Sequence, residues 1–156
     1  MQFQHQPDLI LNAVGIGVEV VNEQGLIVFA NSEAARLLGW PLEELLGQPA
    51  HRISHHTKAD GTPYPHAECT IALARRDGLV HHGDDEIFWR RDGTSFPIAY
   101  TSSPLRDDTG QIIGTILGFQ DITTHKQAQA EIEQRRQEAD VLVELARNVN
   151  ASLDLD

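Results

Sequence analysis

The chain has a single cysteine and no long apolar run, and each of these features excludes a class of structure. Cys69 is the single cysteine among 156 residues. An internal disulfide is therefore excluded, and the composition suits a reducing compartment. No apolar run approaches the roughly 20 residues that a membrane-spanning helix needs. The polar start of the chain does not form a signal peptide. We therefore predict a cytoplasmic segment that makes no membrane contact.

Positive charge is also scarce. The chain has 12 Lys and Arg residues against 23 Asp and Glu residues, which gives a formal net charge of −11 at pH 7. This balance argues against non-specific binding to nucleic acid or to an anionic membrane surface. The apolar content of 40% is enough for a packed core, and the length suits one domain with an appendage.

Catalytic motifs are missing as well. The sequence has no Gly-rich phosphate loop, no Gly-x-Ser-x-Gly and no His-Glu-x-x-His. The acidic pairs Asp84-Asp85 and Asp107-Asp108 stand at a strand end and in a turn, where carboxylates serve solubility and turn geometry. We therefore predict that the segment is not an enzyme.

The most informative pattern present is a run of strands between residues 80 and 121. Two strand-like segments meet at Asp92-Gly93, a dipeptide that tolerates the backbone of a tight hairpin. A polar turn at 106–110 leads into the next strand. The pattern predicts strands at roughly 80–90, 94–104 and 111–121. Upstream, it predicts strands at 15–21 and 26–30 and helices at 8–14, 32–38, 41–46 and 66–76. Three prolines and Asp60-Gly61 predict irregular structure at 49–66.

Three motifs resemble the PAS family of sensory domains. They are the predicted helix from Asn31 to Trp40, the segment from Trp89 to Pro97, and Asp121-Ile122-Thr123 at the end of the last strand. The resemblance covers roughly residues 8–124. It implies an α+β fold with a five-stranded antiparallel sheet in the order 2-1-5-4-3 and helices on one face. PAS domains bind many ligands or none, so the fold alone does not define the function.

The C-terminal segment predicts a long helix with a coiled-coil seam. Thr124 and Gln127 form a capping box. Alternating steps of three and four residues pick out the seam, with His125 and Arg135 as its polar interruptions. The predicted seam consists of Ala128, Ile132, Ala139, Leu142, Ala146, Val149 and Leu153. This pattern predicts a homodimer through the helix. The alternative is a helix packed on its own domain, but its length of ~45 Å is too great for such packing to cover it all.

Residues 141–156 resemble the opening helix of a GAF domain, which implies that a second regulatory domain follows. We therefore divide the chain into a disordered or flexible N-terminus at 1–7, a PAS domain at 8–123 and a coiled-coil linker helix at 124–156.

Alternation along two strands predicts the wall of a ligand pocket. Phe96, Ile98, Tyr100 and Ser102 share one face of their strand, and Ile113, Thr115, Leu117 and Phe119 share a face of theirs. The PAS resemblance implies that these faces look toward the helices. We expect the wall of a small-molecule pocket at Tyr100, Ser102, Thr115 and Leu117. If these side chains pointed to solvent, the opposite faces with Ile112, Ile116 and Gly118 would hold the core.

Histidines are frequent between residues 51 and 82. His55, His56, His66 and Cys69 could supply a tetrahedral zinc site, although no second ligand pair has standard spacing. The favoured alternative is histidines that are solvated or bonded to backbone carbonyls, with Cys69 as a small core residue. The PAS resemblance also raises haem bound through His66, but the preceding Pro-Tyr-Pro does not match the family pattern. The family's photoactive flavin motif Asn-Cys-Arg-Phe is absent. We predict no metal and favour no cofactor. Residues 55–65 resemble a loop of one PAS subgroup, which implies that they fold over the ligand-side helices.

The resulting hypothesis is a sensory and dimerisation module of a bacterial-type signal-transduction protein, either a histidine kinase or a cyclic-dinucleotide enzyme. A ligand or partner would change the sheet, and Asp121-Ile122-Thr123 would relay the change to the coiled coil. Two alternatives remain open. One is a constitutive dimerisation spacer that binds no ligand, and the other is a haem or metal sensor of gas or redox state that uses His66.

Overall fold

The computed structural model describes residues 7–154, which form five strands, six α-helices and one 3₁₀ turn. The strands are β1 (Gly17–Asn22), β2 (Ile27–Ala30), β3 (His81–Trp89), β4 (Ser95–Arg106) and β5 (Ile112–Asp121). The helices are α1 (Pro7–Ala13), α2 (Ser32–Leu38), α3 (Leu42–Leu45), α4 (Ala50–Ser54), α5 (Leu73–Asp77) and α6 (Thr123–Leu153), and the 3₁₀ turn covers His66–Glu68. Of the N-terminal segment expected to be flexible, residues 1–6 lie outside the described residues, and Pro7 begins α1.

The strands form one antiparallel sheet in the order β2-β1-β5-β4-β3, which confirms the predicted topology. The β3–β4 turn follows the predicted chemistry. The carboxylate of Asp92 accepts hydrogen bonds from both the backbone N–H and the hydroxyl of Thr94, and Gly93 takes a φ of 86°. An Asx turn of this kind fixes the hairpin, because the side chain satisfies the backbone that the turn leaves unpaired.

Asn31 anchors helix α2 to strand β1. Its side-chain oxygen accepts from the N–H groups of Ala34 and Val18, each at 2.9 Å, and its amide donates to the carbonyl of Ile16 at 2.9 Å. The helix ends at Gly39, which has a φ of 73°. Asn31 therefore caps this helix, and the left-handed backbone of Gly39 ends it.

The core lies between helices α2–α5 and one face of the sheet, which we call the inner face. The predicted inward set of β4 is confirmed, because Phe96, Ile98, Tyr100 and Ser102 are all buried. On β5 the prediction holds for Thr115, Leu117 and Phe119. Ile113 was expected on this face but is 40% exposed. The register of β4 and β5 shifts between Leu105 and Arg106, so that Gly114 and Ile112 are paired while residue 113 is skipped. Such a bulge reverses the side-chain alternation.

Two predictions about residues 49–76 are wrong. Residues 49–66 are not wholly irregular, since α4 begins directly after Pro49. The helix expected at 66–76 is broken into the 3₁₀ turn and α5, with Cys69 in an extended conformation at φ −63° and ψ 115°. The extended backbone turns Cys69 into the core, where it is 3% exposed. Tertiary contacts there override the helical propensity of the segment.

The chain divides into two compact units, of which one ends at Ile122 and the other begins at Thr123. The second unit is helix α6, which has no buried residue along its described length. It begins one residue before Thr124, so the expected cap lies inside the first turn. Within residues 7–154, none of the helices combines the length and apolar character needed to cross a bilayer.

Two glycines of β5 offer a test of this packing. A Cβ on Gly114 would lie 2.2 Å from the carbonyl oxygen of Val21, so strands β1 and β5 would have to separate there. A Cβ on Gly118 would meet only the Cγ2 atom of Ile16, at 4.0 Å. We expect Gly114→Ala to lower the free energy of unfolding by about 1–3 kcal/mol. Gly118→Ala should change it by less than about 0.5 kcal/mol. Urea denaturation followed by circular dichroism measures both values, and equal losses would contradict the register.

Candidate functional site

A cavity of about 50 Å³ lies between the inner face and the segments that cover it. This volume holds a few water molecules or one small polar group. The sheet side of its wall includes Glu19, Val21, Phe88, Thr115 and Leu117. The covering side includes His51, Ser54, His55, His66, Cys69, Ile71 and Arg75. The wall therefore combines apolar side chains with several groups that can gain or lose a proton.

Glu19 is the most unusual of these groups. It lies in the middle of β1 opposite Leu117 of β5, and its side chain is completely buried. Neither of its carboxylate oxygens has a hydrogen-bond partner among the described residues. Burial alone raises the pKa of Glu19 from 4.5 to about 7, because an apolar surrounding disfavours the charged form. The Arg75 guanidinium does not relieve this, since it donates to the carbonyl of Asn22.

Glu86 is a second acid on the inner face, and its environment is the opposite. Its carboxylate accepts from the hydroxyls of Tyr64 at 3.0 Å and Thr70 at 2.7 Å, and from Nε2 of His55 at 3.0 Å. Burial would raise the pKa of Glu86, but the three hydrogen bonds outweigh it and hold the pKa below its usual value. A register shift between Gly83 and Glu86 brings this side chain inward. Glu86 is therefore ionised at neutral pH.

The hydrogen bond to Glu86 fixes which ring nitrogen of His55 carries the proton. Burial is the main reason that the pKa of His55 is lowered, so the ring is neutral near pH 7. Its single proton lies on Nε2, because a carboxylate only accepts. The lone pair on Nδ1 then accepts from the thiol of Cys69, whose Sγ atom is 3.2 Å away. Burial also raises the pKa of Cys69, which keeps the group a thiol.

His51 is held in a similar way. Its Nε2 lies 2.7 Å from the carbonyl oxygen of Tyr64, to which it donates. Its Nδ1 is buried and has no hydrogen-bond partner in the described part of the chain. One ligand atom from each of His51, His55 and Cys69 lies within 4.8 Å of the others. We call these three residues the His-Cys cluster. Its two imidazoles and one thiol are groups that can hold a metal ion.

The expected metal candidates are only partly brought together. His55 and Cys69 are adjacent, and the third member of the cluster is His51. The ring of His56 instead stacks on Trp89 at 5.5 Å, and its Nδ1 contacts the hydroxyl of Thr57. His66 is exposed, and its ring lies 5.1 Å from that of His51.

The expected pocket residues are all buried on the inner face. Thr115 and Leu117 line the cavity, whereas Tyr100 and Ser102 are not among its lining residues. The hydroxyl of Ser102 donates a hydrogen bond to the carbonyl of Ile71 at 2.6 Å. Sequence reasoning missed Glu19, His51 and Glu86. An acid in the middle of an apolar strand was the available signal for Glu19.

The loop at 55–65 forms a small hairpin whose Thr57 and Pro63 pair in a β-bridge. Through the backbone and hydroxyl of Tyr64 it contacts His51 of α4 and Glu86 of β3. The loop therefore helps to position the covering side of the cavity.

At the end of the sheet, Asp121 lies near a cation. Its carboxylate is 3.4 Å from a guanidinium nitrogen of Arg90, whose charge lies over the ring of Phe96 at 4.4 Å. The N–H of Ile122 donates to the carbonyl of Pro97 at 3.0 Å. These bonds fix the last residues of the first unit next to β4.

A sheet in this order, covered by short helices around a small cavity, is the architecture of a sensory domain. The sequence profile of the PAS fold matches residues 5–122, and the chain belongs to the PAS family. The PAS domain of a protein from Colwellia psychrerythraea has the same fold, with a TM-score of 0.60 at 20% identity over 76% of this chain and 96% of that one.

Two relatives in Escherichia coli K12 carry a similar segment. The probable diguanylate cyclase DgcE is 29% identical over 119 residues, which are 74% of this chain and 10% of that protein. The signal transduction histidine-protein kinase AtoS is 28% identical over 127 residues, which are 81% of this chain and 19% of that protein. The chain thus spans a small part of either relative, and the similarity lies in the PAS region. It supports a role in signal transduction.

Replacement of Glu19 by Gln tests the buried acid through the pH dependence of stability. Between pH 4.5 and about 7 the unfolded chain loses the Glu19 proton while the folded chain keeps it. Stability from this group is therefore complete below pH 4.5 and is lost as the pH rises through 7. The difference of roughly 2.5 pKa units corresponds to about 3 kcal/mol. We expect the wild type to lose this amount relative to Glu19→Gln between pH 4.5 and 8.

Urea denaturation at several pH values measures that difference. His51, His55, His66 and Arg75 line the same cavity in both proteins, so the comparison differs only at residue 19. The matched control is Glu23→Gln in the exposed turn after β1. Its stability profile should run parallel to that of the wild type. A parallel profile for Glu19→Gln would show that Glu19 is not a buried, unpartnered acid.

Proposed function

We propose that this chain is the sensory and dimerisation module of a bacterial-type signalling protein, in which occupation of the cavity is relayed through β5 to helix α6. The observation that carries the proposal is the completely buried carboxylate of Glu19, which lines the cavity without a protein partner. A buried polar group without a partner costs free energy, so a ligand that supplies a hydrogen-bond donor is favoured.

The position of Glu19 also supports a route for the signal. Strand β1 pairs with β5 from Gly17 to Asn22, and Glu19 stands opposite Leu117 in the cavity wall. Strand β5 ends at Asp121, two residues before α6 begins. A ligand that binds one arrangement of this pair of strands better than another shifts the population toward it. Asp121, Ile122 and Thr123 would carry that shift to the helix.

The output is proposed to come from another part of a longer protein. The names of the two relatives favour a cyclic-dinucleotide enzyme or a histidine kinase, and each is several times longer than this segment. The chain would then be a non-catalytic part of an enzyme. A cytoplasmic location stays a prediction.

Dimerisation is proposed to occur through α6. The seam residues Ile132, Leu142, Val149 and Leu153 are between 57% and 68% exposed. Apolar side chains at that exposure lose little by remaining in water singly, but a continuous stripe favours a second helix. Phe29 and Ile116 are exposed on the outer sheet face and form the competing candidate interface.

The second half of α6 is apolar beyond the seam. Val141, Val143 and Leu145 are each more than half exposed and lie outside the predicted seam positions. A single partner helix covers only one stripe. This excess supports the proposal that residues from about 141 onward pack into a following domain, of which the GAF-like sequence pattern is the indication.

The cavity volume favours a small ligand over haem. About 50 Å³ is far below the roughly 300 Å³ at which pockets for larger organic ligands begin. His66, the expected haem ligand, lies exposed in the 3₁₀ turn.

Charge placed on the seam tests the dimer. Leu142→Lys together with Val149→Lys would put charges into an apolar contact, where they cannot stay hydrated. We expect the double variant to shift toward monomer in analytical ultracentrifugation. The control is Gln137→Lys with Ala151→Lys, which adds the same charge on the opposite side of the helix. An unchanged dimer in the seam variant would place the interface on the PAS body.

Replacement of Asp121 tests the relay in the full-length parent protein. The pair with Arg90 is partly exposed, so we expect Asp121→Ala to cost about 1 kcal/mol and to leave the domain folded. We expect a change in basal output or in the response to the stimulus. Asp108→Ala in the exposed β4–β5 turn is the control and should change neither. Preserved output and response in Asp121→Ala would contradict the relay and favour a spacer.

A further inference from the structure

We propose that the His-Cys cluster binds one borderline or soft transition-metal ion, with Zn²⁺ as the reference ion. Nδ1 of His51, Nδ1 of His55 and Sγ of Cys69 are its protein ligands, and the fourth coordination position faces the cavity. The ligand atoms of the three residues already lie within 4.8 Å of one another. A tetrahedral zinc ion holds nitrogen and sulfur ligands roughly 3.5 Å apart, so small side-chain rotations complete the contact.

The tautomers of the two histidines carry this proposal. Nε2 of His55 donates to the carboxylate of Glu86, and Nε2 of His51 donates to the carbonyl of Tyr64. Nδ1 of each ring therefore carries a lone pair and no proton, and that of His55 already lies 3.2 Å from Sγ of Cys69. Histidines that bind metals are usually held by such a bond from the other ring nitrogen to a carboxylate or a backbone carbonyl. Here two different elements supply the two bonds, β3 and the loop before the 3₁₀ turn.

A second observation is the unpartnered nitrogen of His51. Its Nδ1 is buried and no described residue bonds to it. A buried acceptor without a donor costs stability, and hydrogen bonding elsewhere in the cluster does not relieve it. A bound ion satisfies this nitrogen directly. The competing interpretation is a solvated histidine, and it does not explain why this nitrogen is buried without a partner.

The chemistry of binding balances with the loss of one proton. In the metal-free protein the Cys69 thiol donates to Nδ1 of His55. On binding, the thiol releases its proton to solvent and the thiolate donates an electron pair to the ion. Nδ1 of His55 is freed and donates its own pair. Two nitrogens and one sulfur suit zinc and its neighbours, whereas Mg²⁺ and Ca²⁺ prefer oxygen.

The charge of a bound ion would act on Glu19. One thiolate leaves a Zn²⁺ site with a net charge of +1, and the carboxylate of Glu19 lines the same cavity. A nearby cation favours the charged form of a carboxyl group. The open fourth position can take water or a small ligand, as in zinc sites with three protein ligands. The ion is therefore one specific occupant of the cavity proposed above. In that respect this inference extends the proposed function and rests on it.

Cobalt substitution tests the site in this chain. The protein is freed of metal with a chelator under reducing conditions and titrated with Co²⁺. We expect saturation at one ion per chain, with the visible bands of a tetrahedral ion and a near-ultraviolet thiolate-to-cobalt band. Because Cys69 is the single thiol, that band identifies the sulfur ligand without any substitution. Addition of Zn²⁺ should abolish the bands by displacement.

Variants then assign the nitrogen ligands. We expect His51→Ala, His55→Ala and Cys69→Ala each to weaken Zn²⁺ binding at least about 100-fold. Glu86→Gln should weaken it about 10–100-fold, because Glu86 orients His55. The matched controls are His56→Ala and His66→Ala, which remove neighbouring histidines outside the cluster and should stay within about threefold of the wild type. Circular dichroism identifies any variant that fails to fold.

Three results would overturn the site. They are an octahedral cobalt spectrum, a missing thiolate band, and a loss of affinity in His56→Ala or His66→Ala equal to that in His51→Ala. The first two are read on the wild-type protein, so they hold even if a variant unfolds. Metal binding is measured on this chain by itself, whereas the relay is measured in the parent protein with Asp121→Ala. The two proposals can therefore fail separately.

Discussion

The carboxylate of Glu86 holds the covering side of the cavity together. Its three donors lie in segments with little regular structure: His55 and Tyr64 at the two ends of the 55–65 loop, and Thr70 in the break before α5. None of these segments is long enough to be a stable helix or strand alone. Hydrogen bonds to an ionised acceptor are about twice as strong as those between neutral groups. The charge of Glu86 on β3 thus holds these segments in place, although they have little regular structure of their own.

Glu19 and Glu86 show how one sheet face can treat two acids in opposite ways. Glu86 has three donors and a lowered pKa, whereas Glu19 has none and a pKa of about 7. The difference comes from the covering segments, which reach Glu86 but leave Glu19 at the cavity. The bonding capacity of Glu86 is spent on structure, and that of Glu19 remains available for a ligand. Paired acids with divergent pKa values are common where proteins bind or react.

The sheet and its turns could be predicted because their determinants are local. Asp92-Gly93 defines its own hairpin, and Asn31 and Gly39 mark the ends of α2 within a few residues. The helix expected at 66–76 could not be corrected from the sequence, since its break depends on Cys69 meeting His55, which lies 14 residues away. The orientations of Ile113 and Glu86 could not be predicted for another reason. Each lies at a bulge, and the alternation rule has no term for an extra residue.

The register shift in β3 allows Gly83 and Glu86, which are three residues apart, to share the inner face of the sheet. Gly83 stands opposite Tyr100, and Glu86 stands opposite Ile98, so three residues on β3 match two on β4. Deletion of Asp84 or Asp85 would remove the extra residue and straighten the strand, but Glu86 would keep its place opposite Ile98 on the inner face. A relative with one residue fewer here would therefore keep its central acid. In descent, the position of this acid is tied to its pairing with β4 and not to the number of residues before it.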